Sequence, residues 1–82
     1  MFGSMDPGSL LQHLGSAIRR RRKELGLSQE DLAERSGLHR NYIGGVERGE
    51  RNVGFLNLVR LCEGLKVSLS ELMTLVEETA AQ

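Results

Sequence analysis

The residues from Gln29 to Glu47 constrain this chain more than any others. Apolar or small residues stand at Leu32, Ala33, Leu38, Ile43 and Val46, and Gly37 separates the two groups. That spacing predicts two short helices meeting at a tight corner. Leu32 and Ala33 form the inner face of the first, Ile43 and Val46 that of the second, and Leu38 plugs the turn. Gly37 belongs at the corner, because the residue closing a helix usually takes positive φ, which glycine adopts without steric cost. Ala33 is small where a steep crossing over so short a turn brings two backbones together. Burying these positions turns Arg40, Asn41, Tyr42 and the pair Gly44-Gly45 outward on the second helix.

Two helices joined in this way make a helix-turn-helix, and the outward side chains suit the major groove of DNA. The flanking sequence supplies more helices. Asp6-Pro7 reads as an N-cap and first-turn proline. Leu11, Leu14, Ile18, Arg22 and Leu25 then recur at helical spacing over about 10–25, stopped by Gly26. Ser28 caps the next helix, with Asp31 at the third helical position of a capping box. That helix runs to about Arg35 or Ser36, and the one after it from about His39 to Arg48, with Gly49 as stop. A polar loop at 49–54 leads to a helix over about 55–65 with Phe55, Leu58, Leu61, Cys62 and Leu65 on one stripe. Ser68 or Ser70 caps a last helix over about 70–78. The expected fold is all-α: five short helices, no strand and no repeat.

Within the basic run Arg19–Lys23, most charges read as a solvated face whose position suits the helix dipole. Arg22 differs, because it lies in phase with Leu14, Ile18 and Leu25 and so points inward. A buried arginine requires an acid, and Glu47 is the expected partner.

In 82 residues there is room for one domain with one modest core. We expect a flexible segment at 1–8, in which Gly3-Ser4 before a second methionine reads as a cloning remnant, a domain at 9–78 and a frayed tail at 79–82. No apolar run approaches the roughly 20 residues that cross a bilayer, and the start of the chain has neither the basic nor the apolar block of a secretory signal. Cys62, the one cysteine, reads as a small core residue and fits a reducing, cytoplasmic setting. His13 and His39 have no Cys or acid at ligand spacing, so no metal site and no cofactor is expected. No nucleophile–base pair or phosphate loop appears, so there is no catalytic residue and no enzyme to propose. Formal net charge is +0, which argues against a purely electrostatic nucleic-acid binder.

Leu56 and Val59 fall off the stripe of the fourth helix. With Leu72, Leu75 and Val76 they look surplus to one small core, and an exposed patch of that kind associates. These five residues are the expected homodimer interface, which would set two reading helices about one DNA turn, roughly 34 Å, apart.

Across Leu14-Gly15, Ile18-Arg19, Arg22, Gly26 to Gln29, Leu32-Ala33, Ser36 to Leu38, Ile43, Glu47 to Gly49, Leu58, Leu61, Leu65 and Val67, the chain resembles the lambda-repressor-like helix-turn-helix family. These are the Cro/CI or XRE type of bacterial and phage regulators. Arg40 to Arg48 followed by Arg51-Asn52 looks most like the controller proteins of restriction–modification systems. The resemblance implies a five-helix domain that regulates transcription by binding a near-palindromic operator in double-stranded DNA as a homodimer, with no small-molecule ligand. Carried over by position, Arg40 and Asn41 read bases, since Arg fits guanine and Asn adenine bidentately. Tyr42 touches a base or the backbone. Ser28 and Gln29 hold a phosphate at a helix N-terminus, and Arg48, Arg51 and Asn52 contact the backbone. His39 is either a weak cap or a phosphate contact. Gly45 stands where a base-contacting side chain is common, so it reads either as a close approach to DNA or as tolerated drift. An antitoxin-like protein-interaction module on the same fold is the alternative.

Overall fold

A computed structural model describes residues 5–82; the remnant expected at Gly3-Ser4 lies outside the described residues. The five helices are α1 (Pro7–Glu24), α2 (Gln29–Ser36), α3 (Arg40–Glu47), α4 (Phe55–Leu65) and α5 (Leu69–Ala81), and there is no strand among the described residues. No described helix is long and apolar enough to cross a membrane. α1 lies along α5 and α3, α2 packs on α3 and α4, and α4 reaches α5, in a body of 35 × 20 × 20 Å.

Local chemistry sets the ends. Asp6 caps α1 by accepting from the Ser9 backbone at 3.0 Å, with Pro7 in the first turn. The helix therefore takes in Pro7 and Gly8, which the expected flexible segment 1–8 had included. Ser28 with Asp31, and Ser68 with Glu71, form complete capping boxes on α2 and α5. Backbone and hydroxyl donors of the capping serine hold the Asp31 and Glu71 carboxyls below their usual range. α5 begins at Leu69 rather than Ser70 and continues to Ala81, three residues past its expected end. Gly26, Gly37 and Gly49 close α1, α2 and α3 at φ 72, 70 and 76. The end of α4 is closed the same way by Lys66, at φ 56, where nothing in the sequence marks a left-handed residue. Each of these four ends carries an i to i−5 backbone bond, such as Leu38 N–H to Ala33 O at 3.1 Å.

The core is Ala17, Ile18, Leu32, Ile43, Val46, Leu61, Cys62, Leu65, Leu72 and Val76. Burial pushes the Cys62 thiol pKa up, which suits an inert packing residue. Leu72 and Val76, expected at the dimer interface, are instead 0% and 4% exposed. α1 offers α5 a long face to cover, so both residues complete the monomer's core. Phe55, expected on the core stripe, is 66% exposed, because it opens α4 at the edge of the body; Leu56 is 71% exposed beside it. Arg21 is not simply solvated: its Nε donates to Leu65 O at 3.0 Å and so caps the carboxyl end of α4.

Two glycines permit the tightest helix contacts. A Cβ on Gly15 would run into the backbone carbonyls of Val46 and Glu47, and one on Gly64 would stand 2.9 Å from Leu32 Cδ1. Gly15 faces backbone, which cannot step aside as a flexible side chain can. Gly15→Ala is therefore expected to lower unfolding free energy by about 3 kcal/mol, the upper part of the usual overpacking range, measured by urea denaturation. A change below about 0.5 kcal/mol, typical of surface positions, would contradict this packing.

Candidate nucleic-acid interface

The base of the site is a buried polar network. Arg22 from α1 forms two hydrogen bonds with Glu47 of α3, Nε to Oε2 at 2.7 Å and Nη2 to Oε1 at 2.9 Å. Its Nη1 donates to Leu27 O at 2.8 Å. Gln29 Nε2, from the first residue of α2, donates to Glu47 Oε1 at 3.1 Å. The Arg22 and Glu47 side chains are 9% and 4% exposed. Their bond raises the Arg22 pKa further, against the opposing effect of burial. One carboxylate therefore joins α1, α2 and α3, and the inward phase of Arg22 correctly identified its partner.

Over that base, α3 presents its first turn. Arg40 and Asn41 are exposed and Tyr42 is half-buried. His39 occupies the N-cap position with no side-chain cap bond, leaving its imidazole exposed. Arg40 Nε stands 3.6 Å from Glu30 Oε1, an exposed pair linking α3 to the start of α2. Glu30 was missed by sequence reasoning. Its place in the first turn of α2 explains it as a dipole partner, and only the corner geometry brings it to Arg40.

Ser28 and Gln29 stand at the N-terminus of α2, but both are engaged. The Ser28 hydroxyl accepts from Asp31 N–H at 3.0 Å, and Gln29 is held by Glu47. Gln29 keeps its second amide hydrogen free to donate outward. Arg48 Nε donates to Glu50 Oε2 at 3.0 Å. The Arg51 guanidinium lies over the Tyr42 ring, 5.8 Å from its centroid, and Asn52 is exposed in the same loop. Gly44 and Gly45 are buried beneath arginine side chains. A Cβ on Gly44 would stand 3.0 Å from Arg48 Nη1, and one on Gly45 3.1 Å from Arg51 Cγ. Gly45 is thus covered by this chain's own arginine, a neighbour that the two readings of this glycine did not include. The expected DNA-contacting residues form one surface, built from the start of α2, the start of α3 and the loop after α3.

The residues expected at a dimer contact do not form one patch. Leu56 is exposed, Val59 and Leu75 are half-buried, and Leu72 and Val76 are core. The exposed apolar surface here is Phe55 with Leu56.

Residues 18–72 match the model of the helix-turn-helix family. The chain belongs to the helix-turn-helix family. Its relatives include the control protein C.SmaI of Serratia marcescens, 51% identical over 61 residues that make up 74% of this chain and 73% of that one. Among solved structures, the restriction–modification controller C.AhdI from Aeromonas hydrophila is similar at 48% identity with a TM-score of 0.74, covering 76% of this chain and 94% of that one. The controller C.Esp1396I, solved as a tetramer with its natural 35 base-pair operator, is similar at 36% identity with a TM-score of 0.84, covering 89% of this chain and 96% of that one. The resemblance read in the sequence, to lambda-repressor-like regulators and to restriction–modification controllers among them, agrees with these relatives.

Glu47→Gln keeps the side chain's shape but leaves the buried Arg22 charge without a counter-charge. It is expected to cost about 3 kcal/mol or more of stability, as breaking a buried pair does, read from denaturant melts. A loss under 1 kcal/mol would contradict a structural role for this network.

Proposed function

We propose that this chain is a sequence-specific DNA-binding transcriptional regulator that binds a near-palindromic operator as a homodimer and serves as the controller of a restriction–modification system. The observation that carries the reading is the outward first turn of α3. Arg40 and Asn41 stand exposed there, side by side, with side chains whose flat hydrogen-bonding ends match base edges. Arg48 and Arg51 flank them, and the free amide hydrogen of Gln29 points to a phosphate at the start of α2. The control proteins among its relatives support the regulatory role, and the operator-bound tetramer of C.Esp1396I supports DNA as the partner.

α3 enters the major groove, Arg40 reads guanine, Asn41 reads adenine, and Tyr42 touches a base or a sugar. Ser28, Gln29, His39, Arg48 and Asn52 hold the backbone. Phe55 and Leu56, with the half-buried Val59 and Leu75, supply the apolar contact to a second copy. The protein works in the cytoplasm and has no catalytic role.

The formal charge of +0 and the exposed Phe55–Leu56 pair favour one rival, a module whose main partner is another protein. Selection from random double-stranded DNA separates the two. The regulator is expected to enrich an inverted repeat, and Arg40→Ala to lose preference at one base pair per half-site, by about 1–3 kcal/mol. Absence of any enriched repeat would overturn the proposal in favour of the protein-interaction module.

A further inference from the structure

Arg48 and Glu50 stand on either side of Gly49, where the chain leaves α3. Arg48 Nε donates to Glu50 Oε2 at 3.0 Å. The other surface ion pairs among the described residues, Arg20–Glu24, Arg20–Glu78, Arg21–Glu24 and Arg40–Glu30, stand at 3.6 or 3.7 Å, too far for a hydrogen bond.

The backbone prepares this pair. Arg48 N–H donates to Gly44 O at 3.1 Å, Gly49 turns at φ 76, and Glu50 N–H donates to Gly45 O at 2.9 Å. Both residues are thereby held against the end of α3, and their side chains meet with little further ordering. The bond from Arg48, and then the charges of Arg48 and Arg51, hold the Glu50 carboxyl below its usual range, so it is ionised at neutral pH.

The place of Arg48 gives the pair a consequence. A Cβ on Gly44 would lie 3.0 Å from Arg48 Nη1 and 3.6 Å from Gln29 Oε1. The guanidinium and the Gln29 amide therefore share the space above Gly44, between the start of α2 and the second turn of α3. A DNA phosphate seated beside them brings the guanidinium what Glu50 already provides, anionic oxygens. Nε carries a single hydrogen, and Glu50 occupies it. A phosphate can grip the guanidinium edge that includes Nε only when Glu50 lets go. In a chain of formal net charge +0, attraction to DNA rests on a few arginines, and each one occupied internally counts.

Resting on the DNA-regulator reading above, we infer that Glu50 is a built-in competitor for DNA phosphate at Arg48. In the free protein its carboxylate occupies the guanidinium. On DNA a phosphate displaces it, and the carboxylate is left beside a backbone of like charge. The cost is the same on every sequence. Glu50 thus sets the overall strength of DNA binding, including the hold on non-specific DNA that phosphate contacts dominate, and takes no part in the choice of bases.

The test titrates duplexes of random sequence with the whole chain over a range of salt. It compares wild type with Glu50→Gln, and Arg48→Ala with the double variant. Glutamine keeps the shape of the side chain and the backbone bond to Gly45 but loses the charge. With Arg48 present, Glu50→Gln is expected to tighten binding about 5-fold near physiological salt, the upper end of what an exposed pair contributes. It is also expected to steepen the fall of log affinity with log salt by about one. In Arg48→Ala the same change is expected to gain less than about 2-fold, because only screened repulsion remains to be relieved. Base preferences among fragments enriched from random duplexes are expected to be the same in Glu50→Gln and wild type. An equal gain in both backgrounds would make Glu50 a general repulsive charge, and no gain in either would make its pairing irrelevant to DNA. Each of these overturns the inference, as would a changed base preference. Failure of every variant to bind duplex DNA even at low salt would overturn the regulator reading, and the inference with it.

Discussion

One buried carboxylate, Glu47, ties together α1, α2 and α3, the last two of which carry the proposed DNA-facing surface. It closes a two-bond pair with Arg22 at 2.7 and 2.9 Å and takes a third bond from Gln29 at 3.1 Å. Such a charge cluster adds little net stability compared with a well-packed apolar one, but removing any member leaves the others uncompensated. Its effect is on geometry. Gln29 belongs to the end of α2 proposed to meet the DNA backbone, and Glu47 to the helix proposed to meet the bases. Their bond fixes how far apart those two contacts can be.

Small residues do the complementary work. Gly15 lets α1 and α3 approach to where any side chain would strike backbone carbonyls, and Gly64 does the same between α4 and α2 with a side chain as neighbour. On the outside, Gly44 and Gly45 make room for arginines instead of for helices. The same lack of a side chain serves tight packing on one side of α3 and the seating of Arg48 and Arg51 on the other. α3 is only eight residues long. Its first turn carries the side chains proposed to read bases, and its second turn is covered by Arg48 and Arg51 from beyond the helix.

Much of this was legible in the sequence because it rests on local rules. Gly37 at the corner, the Ser28–Asp31 capping box and the inward phase of Arg22 each follow from periodicity or from a capping preference, and each stands where it was expected. What was not legible depends on how distant elements meet. Leu72 and Val76 looked surplus because the length of α1 available to cover α5 cannot be read from α5 alone. Phe55 looked buried because its place at the very start of α4, beyond the edge of its neighbours, is a tertiary fact. Arg21 and Glu30 carry charges that suit a helix dipole anywhere. Only the assembled bundle brings one to Leu65 O and the other to Arg40. The left-handed Lys66 has no marker in the sequence at all.

Two copies of this domain, joined through the apolar start of α4, would present two reading faces at a fixed separation. The most direct measurement is affinity as a function of half-site spacing, by titrating the dimer on duplexes that carry the selected repeat with base pairs inserted at its centre. Affinity is expected to be highest when the half-sites lie about one helical turn apart. Inserting about five base pairs, half a turn, places the second half-site on the opposite face of the duplex and should abolish the gain from having two. Affinity that did not change with spacing would mean that each domain reads its half-site alone, and it would contradict the fixed pair of α3 helices.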